Sequence, residues 1–258
     1  MTATSHSLAR GGVRRSDEVD GVVVLTLDRP PANALSNALV RELATTFDAL
    51  ASSPYAPAVV LTGAANRFFT AGGDIKEAIG YDAESMVERM MLFHGLLNAL
   101  ENYPRPLVCA VNGWCVGGGI EMTLFADAVY AATDARFVFP EVNHGMLPAV
   151  KGIARARRVV GDRAARRLLL SGEIVDAMVA ESLGLVDQVV AGDDLLATAT
   201  AYARAAAAKP PAVFKALKQA LHGADGWPPE KQLCMTLRDA RTVFDDPAAR
   251  LAREVWNG

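Results

Sequence analysis

Residues 106–121, PLVCAVNGWCVGGGIE, pass from an apolar, β-branched run into three consecutive glycines and a glutamate. The run 106–111 reads as a buried strand, and residues 119 to about 125 read as a helix opened by the glycines. A strand that turns directly into a helix presents backbone N–H groups with partial positive charge, because the first helical turn leaves them without acceptors. The plainer alternative is a tight turn in which glycine supplies a positive φ or close packing. Two phosphate loops are excluded: no Lys-Ser or Lys-Thr follows the glycines, and the spacing of a dinucleotide fingerprint is missing.

The same order of elements recurs on both sides of this stretch. Residues 21–27 (GVVVLTL) read as a strand that ends at Asp28-Arg29-Pro30-Pro31, where two prolines stop ladder pairing. Ser36 can cap a helix running to about residue 50, since Leu39, Leu43, Phe47 and Leu50 recur at helical spacing. Residues 58–62 (AVVLT) read as a second buried strand stopped by Gly63, residues 83–101 as a helix, and 127–131 and 136–139 as short strands. Strand, helix, strand in alternation predicts an α/β fold, and no fixed-period repeat supports a solenoid. From about residue 149 the composition shifts to Ala, Arg and Leu, apart from 183–190. From 193 onward nearly everything reads as helix, divided at Lys209-Pro210-Pro211. Apolar stripes on helices with no evident sheet to cover predict packing on another subunit.

With 258 residues, 51% of them hydrophobic, the chain can bury a sizeable core while lying near the upper limit of one domain. The expected organisation is a flexible N-terminus over 1–15, a core over 16–192 and a C-terminal helical region over 193–258. The net charge of −3 with dispersed Lys and Arg argues against nucleic acid or an anionic membrane as partner, and favours a small soluble ligand. Cys109, Cys115 and Cys234 form no Cys-x-x-Cys pair, and two of them read as buried thiols of a reducing compartment. Residues 1–15 carry three arginines and no acid, yet lack the apolar stretch of an export signal, so a frayed terminus is expected. No apolar run approaches the ~20 residues that span a bilayer, and the cytoplasm is the expected location. No zinc or other metal site and no Gly-x-Ser-x-Gly elbow is found. His144 lies close to Glu141 in sequence, although a lone histidine is more often structural.

A second glycine turn, Thr70-Ala71-Gly72-Gly73-Asp74-Ile75-Lys76-Glu77, follows the strand at 58–62 and the pair Phe68-Phe69. Alone it is an ordinary helix start capped by Asp74. Together with Leu27-Asp28-Arg29-Pro30, Asn33-Ala34-Leu35, Ala110-Val111-Asn112-Gly113, Gly117 to Glu121 and Phe139-Pro140-Glu141-Val142, in this order, the chain resembles the crotonase (enoyl-CoA hydratase/isomerase) superfamily from about residue 21 to the C-terminal helices.

That resemblance implies a spiral of ββα units with a C-terminal helical oligomerisation region, assembled as a homotrimer or a dimer of trimers. It implies a thioester carbonyl held between the backbone N–H groups of Gly73 and Gly118, with Glu121 and Glu141 at the two catalytic carboxylate positions. The implied reaction is addition of water across the 2,3 double bond of a 2-enoyl-CoA, Glu121 acting as principal base and Glu141 delivering the proton to Cα. One carboxylate suffices to shuttle a proton, whereas adding water calls for a second group to orient and deprotonate it. Other crotonase reactions, isomerisation or hydratase-lyase cleavage, and a non-catalytic acyl-CoA carrier are the alternatives. Coenzyme A enters only as part of the substrate, with no permanently bound cofactor. Its path is expected along Ala71, Gly72, Asp74 and Ile75, flanked by Arg29 and Ala32, with Lys218 meeting phosphate. After Glu141 the chain departs from the family pattern: Pro148-Ala149-Val150-Lys151-Gly152-Ile153 stands where a Gly-Gly stretch is usual, which is expected to alter pocket shape.

Overall fold

The computed structural model describes residues 11–64, 67–223 and 226–256. It opens with β1 (Gly12–Arg15) antiparallel to β2 (Val22–Asp28), followed by α1 (Asn37–Ala51). The Ser36 side chain accepts the Leu39 N–H at 3.2 Å, and Leu39, Leu43, Phe47 and Leu50 are buried along one face of α1. Residues 12–15, expected within a flexible terminus, therefore pair as an edge strand. Residues 1–10 lie outside the described residues.

Three turns of a spiral follow. Each contributes one strand to a first sheet, one strand to a second, and then helix: β3 (Ala58–Gly63), β4 (Phe68–Thr70), α2 (Ile75–Ala78) and α3 (Ala83–Asn102) make the first turn. Next come β5 (Leu107–Val111), β6 (Trp114–Val116) and α4 (Gly118–Thr123), then β7 (Ala128–Ala132), β8 (Arg136–Val138) and α5 (Val150–Ser171), the last broken at Gly161 where φ is +79°. The chain continues through β9 (Val175–Asp176), α6 (Ala177–Ser182) and β10 (Gln188–Val190) into α7 (Leu195–Ala207), α8 (Pro211–Gly223), α9 (Pro229–Asp245) and α10 (Pro247–Trp256). The first sheet has the order β1-β2-β3-β5-β7-β10, parallel from β2 onward; the second is β4-β6-β8-β9, with β9 antiparallel. Parallel strands need a crossover between them, and the ββα unit supplies it.

Strand β3 is buried at every position, which is why it reads as an unbroken apolar run. Val59 and Leu61 face the space between the two sheets with Leu25, Phe69, Phe137 and helices α1 and α3. Ala58 and Val60 face the other way, against Leu195, Ala199 and Ala203 of α7. Helix α7 thus belongs to the core layer, although the sequence places it in a separate C-terminal region. The expectation failed because a stripe of alanines gives little periodic contrast, while small side chains are what let a helix lie close on a sheet. Helices α8 to α10 do leave Leu217, Leu221, Leu233, Leu237, Phe244 and Leu251 largely exposed. Cys109 and Cys115 are fully buried, and burial pushes the Cys109 thiol up to about 12. Among the described residues no helix is long and apolar enough to cross a membrane.

Candidate active site

Strands β4 and β6 are parallel neighbours, so the two glycine turns that follow them emerge side by side at the carboxyl edge of the second sheet. Open α/β sheets bind ligands at that edge. The first turn is locked from behind. Gly72 has φ +78°, and a Cβ there would meet the Val116 carbonyl oxygen at 2.8 Å. Thr70 Oγ1 donates to Asn33 O at 2.7 Å and accepts the Gly72 N–H at 3.0 Å. Leu35 donates to Gly72 O and accepts the Asp74 N–H, a parallel bridge centred on Gly73. Since the groups on either side of Gly73 point to Leu35, its own N–H points the opposite way.

The second turn has the same outcome by a different route. Gly117 adopts φ +48°, a region that favours glycine, and starts α4 without a side-chain cap. Gly118 is the first residue of that helix, so its N–H has no intrahelical acceptor. Neither the Gly73 nor the Gly118 N–H has a hydrogen-bond partner among the described residues. Both glycines line one cavity of about 240 Å³, together with Glu121 and Glu141.

Glu121 projects from α4 and is 3% exposed. Glu141 follows β8 at the head of a single 3-10 turn, and its Oε1 lies where a Cβ on Gly117 would fall, 2.3 Å away. The Oε2 atom of each is buried and accepts no hydrogen bond among the described residues. Burial, and then the charge of Glu141, push Glu121 up to about 8, against a hydrogen bond from the Ala149 backbone and the positive charge of Arg89. Burial also raises Glu141, opposed by its own backbone hydrogen bond and by His144. Two like-charged neighbours out of water cannot both ionise cheaply, so near neutrality the pair holds one proton between them. The arrangement can hold a polarised oxygen on one side and exchange a proton on the other.

The remaining sequence expectations divide. Ala71, Gly72, Asp74 and Ile75 line the cavity. Arg29 and Ala32 do not: the Arg29 guanidinium is spent on Asp74 Oδ2 at 2.6 Å and Ala34 O at 3.0 Å, and Ala32 O accepts the Ala71 N–H. They brace the turn from outside. Lys218 lies away from the cavity, 5% exposed, with its Nζ 2.8 Å from Asp127 Oδ2. Breaking a buried pair of this kind costs about 3–5 kcal/mol, so this lysine pins α8 to the core. Within the departure at 148–153, Lys151 and Gly152 play opposite parts. Lys151 turns away to pair with Glu101 and to lie over the Phe125 ring, 5.3 Å from its centroid. Gly152 retains the close approach, for a Cβ there would fall 1.9 Å from Glu121 Oε2.

Sequence reasoning missed the wall contributed by α3. Met86, Arg89, Met90 and Phe93 line the cavity at helical spacing; an arginine on an otherwise apolar stripe was the available signal. His144 also lines the cavity, its Nδ1 2.8 Å from Pro140 O.

Two sheets wound by ββα units, with paired glycine turns facing paired carboxyls at their edge, define a protein of the crotonase class. The chain belongs to the enoyl-CoA hydratase/isomerase family, whose model matches residues 17–247. It is 38% identical over 201 residues to the 2,3-dehydroadipyl-CoA hydratase of Escherichia coli (strain K12), covering 78% of each chain. A probable enoyl-CoA hydratase of Rhizobium meliloti is 39% identical over 177 residues, 68% of this chain and 67% of that one. The crystal structure of an enoyl-CoA hydratase from Bacillus anthracis superposes with a TM-score of 0.89 over 95% of both chains at 27% identity.

Proposed function

We propose that the protein is an enoyl-CoA hydratase, a hydro-lyase that adds water across the 2,3 double bond of a 2-enoyl-CoA thioester. The observation that carries this reading is the meeting of two unpartnered glycine N–H groups and two carboxyls with buried, unpartnered Oε2 atoms on one cavity. The thioester oxygen sits between the N–H groups of Gly73 and Gly118, which hold the enolate as negative charge develops. Each such donor is worth roughly 2.7–4 kcal/mol of barrier in comparable sites. Water lies between the carboxyls; its oxygen bonds to Cβ, its proton passes to ionised Glu121, and protonated Glu141 supplies the proton to Cα. Glu121, being the more deeply buried, favours the shared proton at rest, so the reactive state has that proton relayed to Glu141 through the bridging water. The acyl-CoA enters along Ala71 to Ile75, with no permanently bound cofactor. Two carboxyls instead of one favour hydration over isomerisation.

A panel of CoA thioesters tests this reading. Conjugated 2-enoyl thioesters should lose their absorbance on addition of enzyme and yield 3-hydroxyacyl products. Conversion of 3-enoyl thioesters into the conjugated form without hydration, or release of an aldehyde from a feruloyl thioester, points to another crotonase reaction.

We also propose that the exposed leucines of α8 to α10 are covered in a homotrimer or a dimer of trimers, in the cytoplasm. Light scattering at working concentration should return three or six copies; a monomer contradicts the assembly.

A further inference from the structure

The wall formed by α3 contains a feature that hydration of a simple enoyl chain does not require. Arg89 lines the cavity half-buried, between Met86, Met90 and Phe93, and its guanidinium carbon lies 5.8 Å from the Phe93 ring centroid. A guanidinium carries five N–H donors. Those with partners here reach neutral oxygens: Nη1 to Asn37 Oδ1 at 3.1 Å and Nη2 to Leu35 O at 2.7 Å. The nearby carboxylates are already engaged. Asp74 takes Arg29 and the first N–H groups of α2, and Glu77 Oε2 takes the Asn37 N–H at 2.8 Å. Among the described residues, no ion pair neutralises Arg89. Glu77, Asp74 and Glu121 act on it through space without forming an ion pair with it, so a ligand carboxylate would supply the direct partner that this half-buried cation lacks.

The position of Arg89 indicates which part of a ligand it meets. Phe93 lies against Gly118, for a Cβ on that glycine would fall 2.9 Å from the Phe93 ζ carbon. Arg89 sits one helical turn before Phe93 on the same face, about 5.4 Å along the axis. Its neighbours are thioether and aromatic groups, which suit an acyl chain.

Resting on the hydratase reading, we infer that the preferred substrate is a 2-enoyl-CoA whose short acyl chain ends in a carboxylate, received by Arg89. A carboxylate offers the planar, two-oxygen acceptor that a guanidinium matches. The same cation can also meet a phosphate of CoA or merely hold Leu35 behind the first glycine turn, and the test separates these roles.

The experiment compares two six-carbon substrates on the same CoA: the monothioester of 2-hexenedioic acid and 2-hexenoyl-CoA. The native enzyme should show a kcat/KM about 10- to 100-fold higher for the enedioyl substrate, the range of a charge-assisted hydrogen bond. Arg89→Met should bring that ratio near one, and Arg89→Lys should retain part of it. Native preference for hexenoyl-CoA, or an equal loss on both substrates in Arg89→Met, overturns the inference in favour of a phosphate or bracing role. If neither thioester is hydrated, the hydratase reading fails by itself. Calorimetry with adipoyl-CoA and hexanoyl-CoA then still decides: tighter binding of adipoyl-CoA to the native protein supports the inference, and equal binding refutes it.

Discussion

Glu141→Gln is expected to lower kcat for hydration by roughly 10²- to 10⁴-fold, the usual worth of a positioned acid or base, while CoA-thioester binding survives. The amide has nearly the shape of the carboxyl, so it can occupy the space that Gly117 leaves open beside Oε1. It cannot give up a proton to Cα. The substitution also removes the like charge that helps push Glu121 up to about 8. In the native enzyme, activity should fall as pH rises through that region, because the pair then loses its one remaining proton and with it the acid. Residual activity of the variant should reach its ionised plateau at lower pH. The sign for stability is equally definite. Burial raises the folded Glu141 above its ordinary value, so folding is penalised progressively as pH climbs through the unfolded value toward the folded one. The neutral variant should therefore melt no lower than the native protein at neutral pH. Turnover by absorbance, binding by calorimetry and melting by circular dichroism check all three statements. A folded variant with native turnover would remove Glu141 from the mechanism.

Gly152→Ala should cost kcat about 10²-fold, the scale of a displacement of about 1 Å in a catalytic group. The added methyl would lie 1.9 Å from Glu121 Oε2, 2.7 Å from its Cδ and 2.8 Å from its Cγ. More than the tip of the side chain must therefore move. Gly152 lies in the first turn of α5 with no positive φ, and alanine is the better helix former by about 1 kcal/mol. The expected signature is a helix that forms as well as before and a reaction that does not proceed. Retained activity would show that Glu121 does not need the position it has here.

How much of this was legible beforehand differs residue by residue. Glu121, Glu141, Gly73 and Gly118 are expected from the family resemblance that short motifs carry, and all four border one cavity. Each is fixed by local backbone geometry, a glycine turn or a strand end, which short motifs encode. Arg29 and Lys218 were expected on the CoA path and are not on the cavity. A long basic side chain goes to whichever acid folding brings near, and for Lys218 that is Asp127, 91 positions away. Lys151 looked like an intruder in the pocket and instead points to Glu101 on α3. Strand β1 has too little apolar alternation to announce itself; pairing with β2 makes it a strand.

Taken by itself, the amino-acid order determined the α/β alternation, the two glycine turns and the two glutamates, because strand burial, helix capping and positive φ are local demands on residue type. Tertiary structure alone decided which polar groups are left without partners and so remain open to a ligand. That depends on what the spiral stacks beside each one, and no periodicity carries the information.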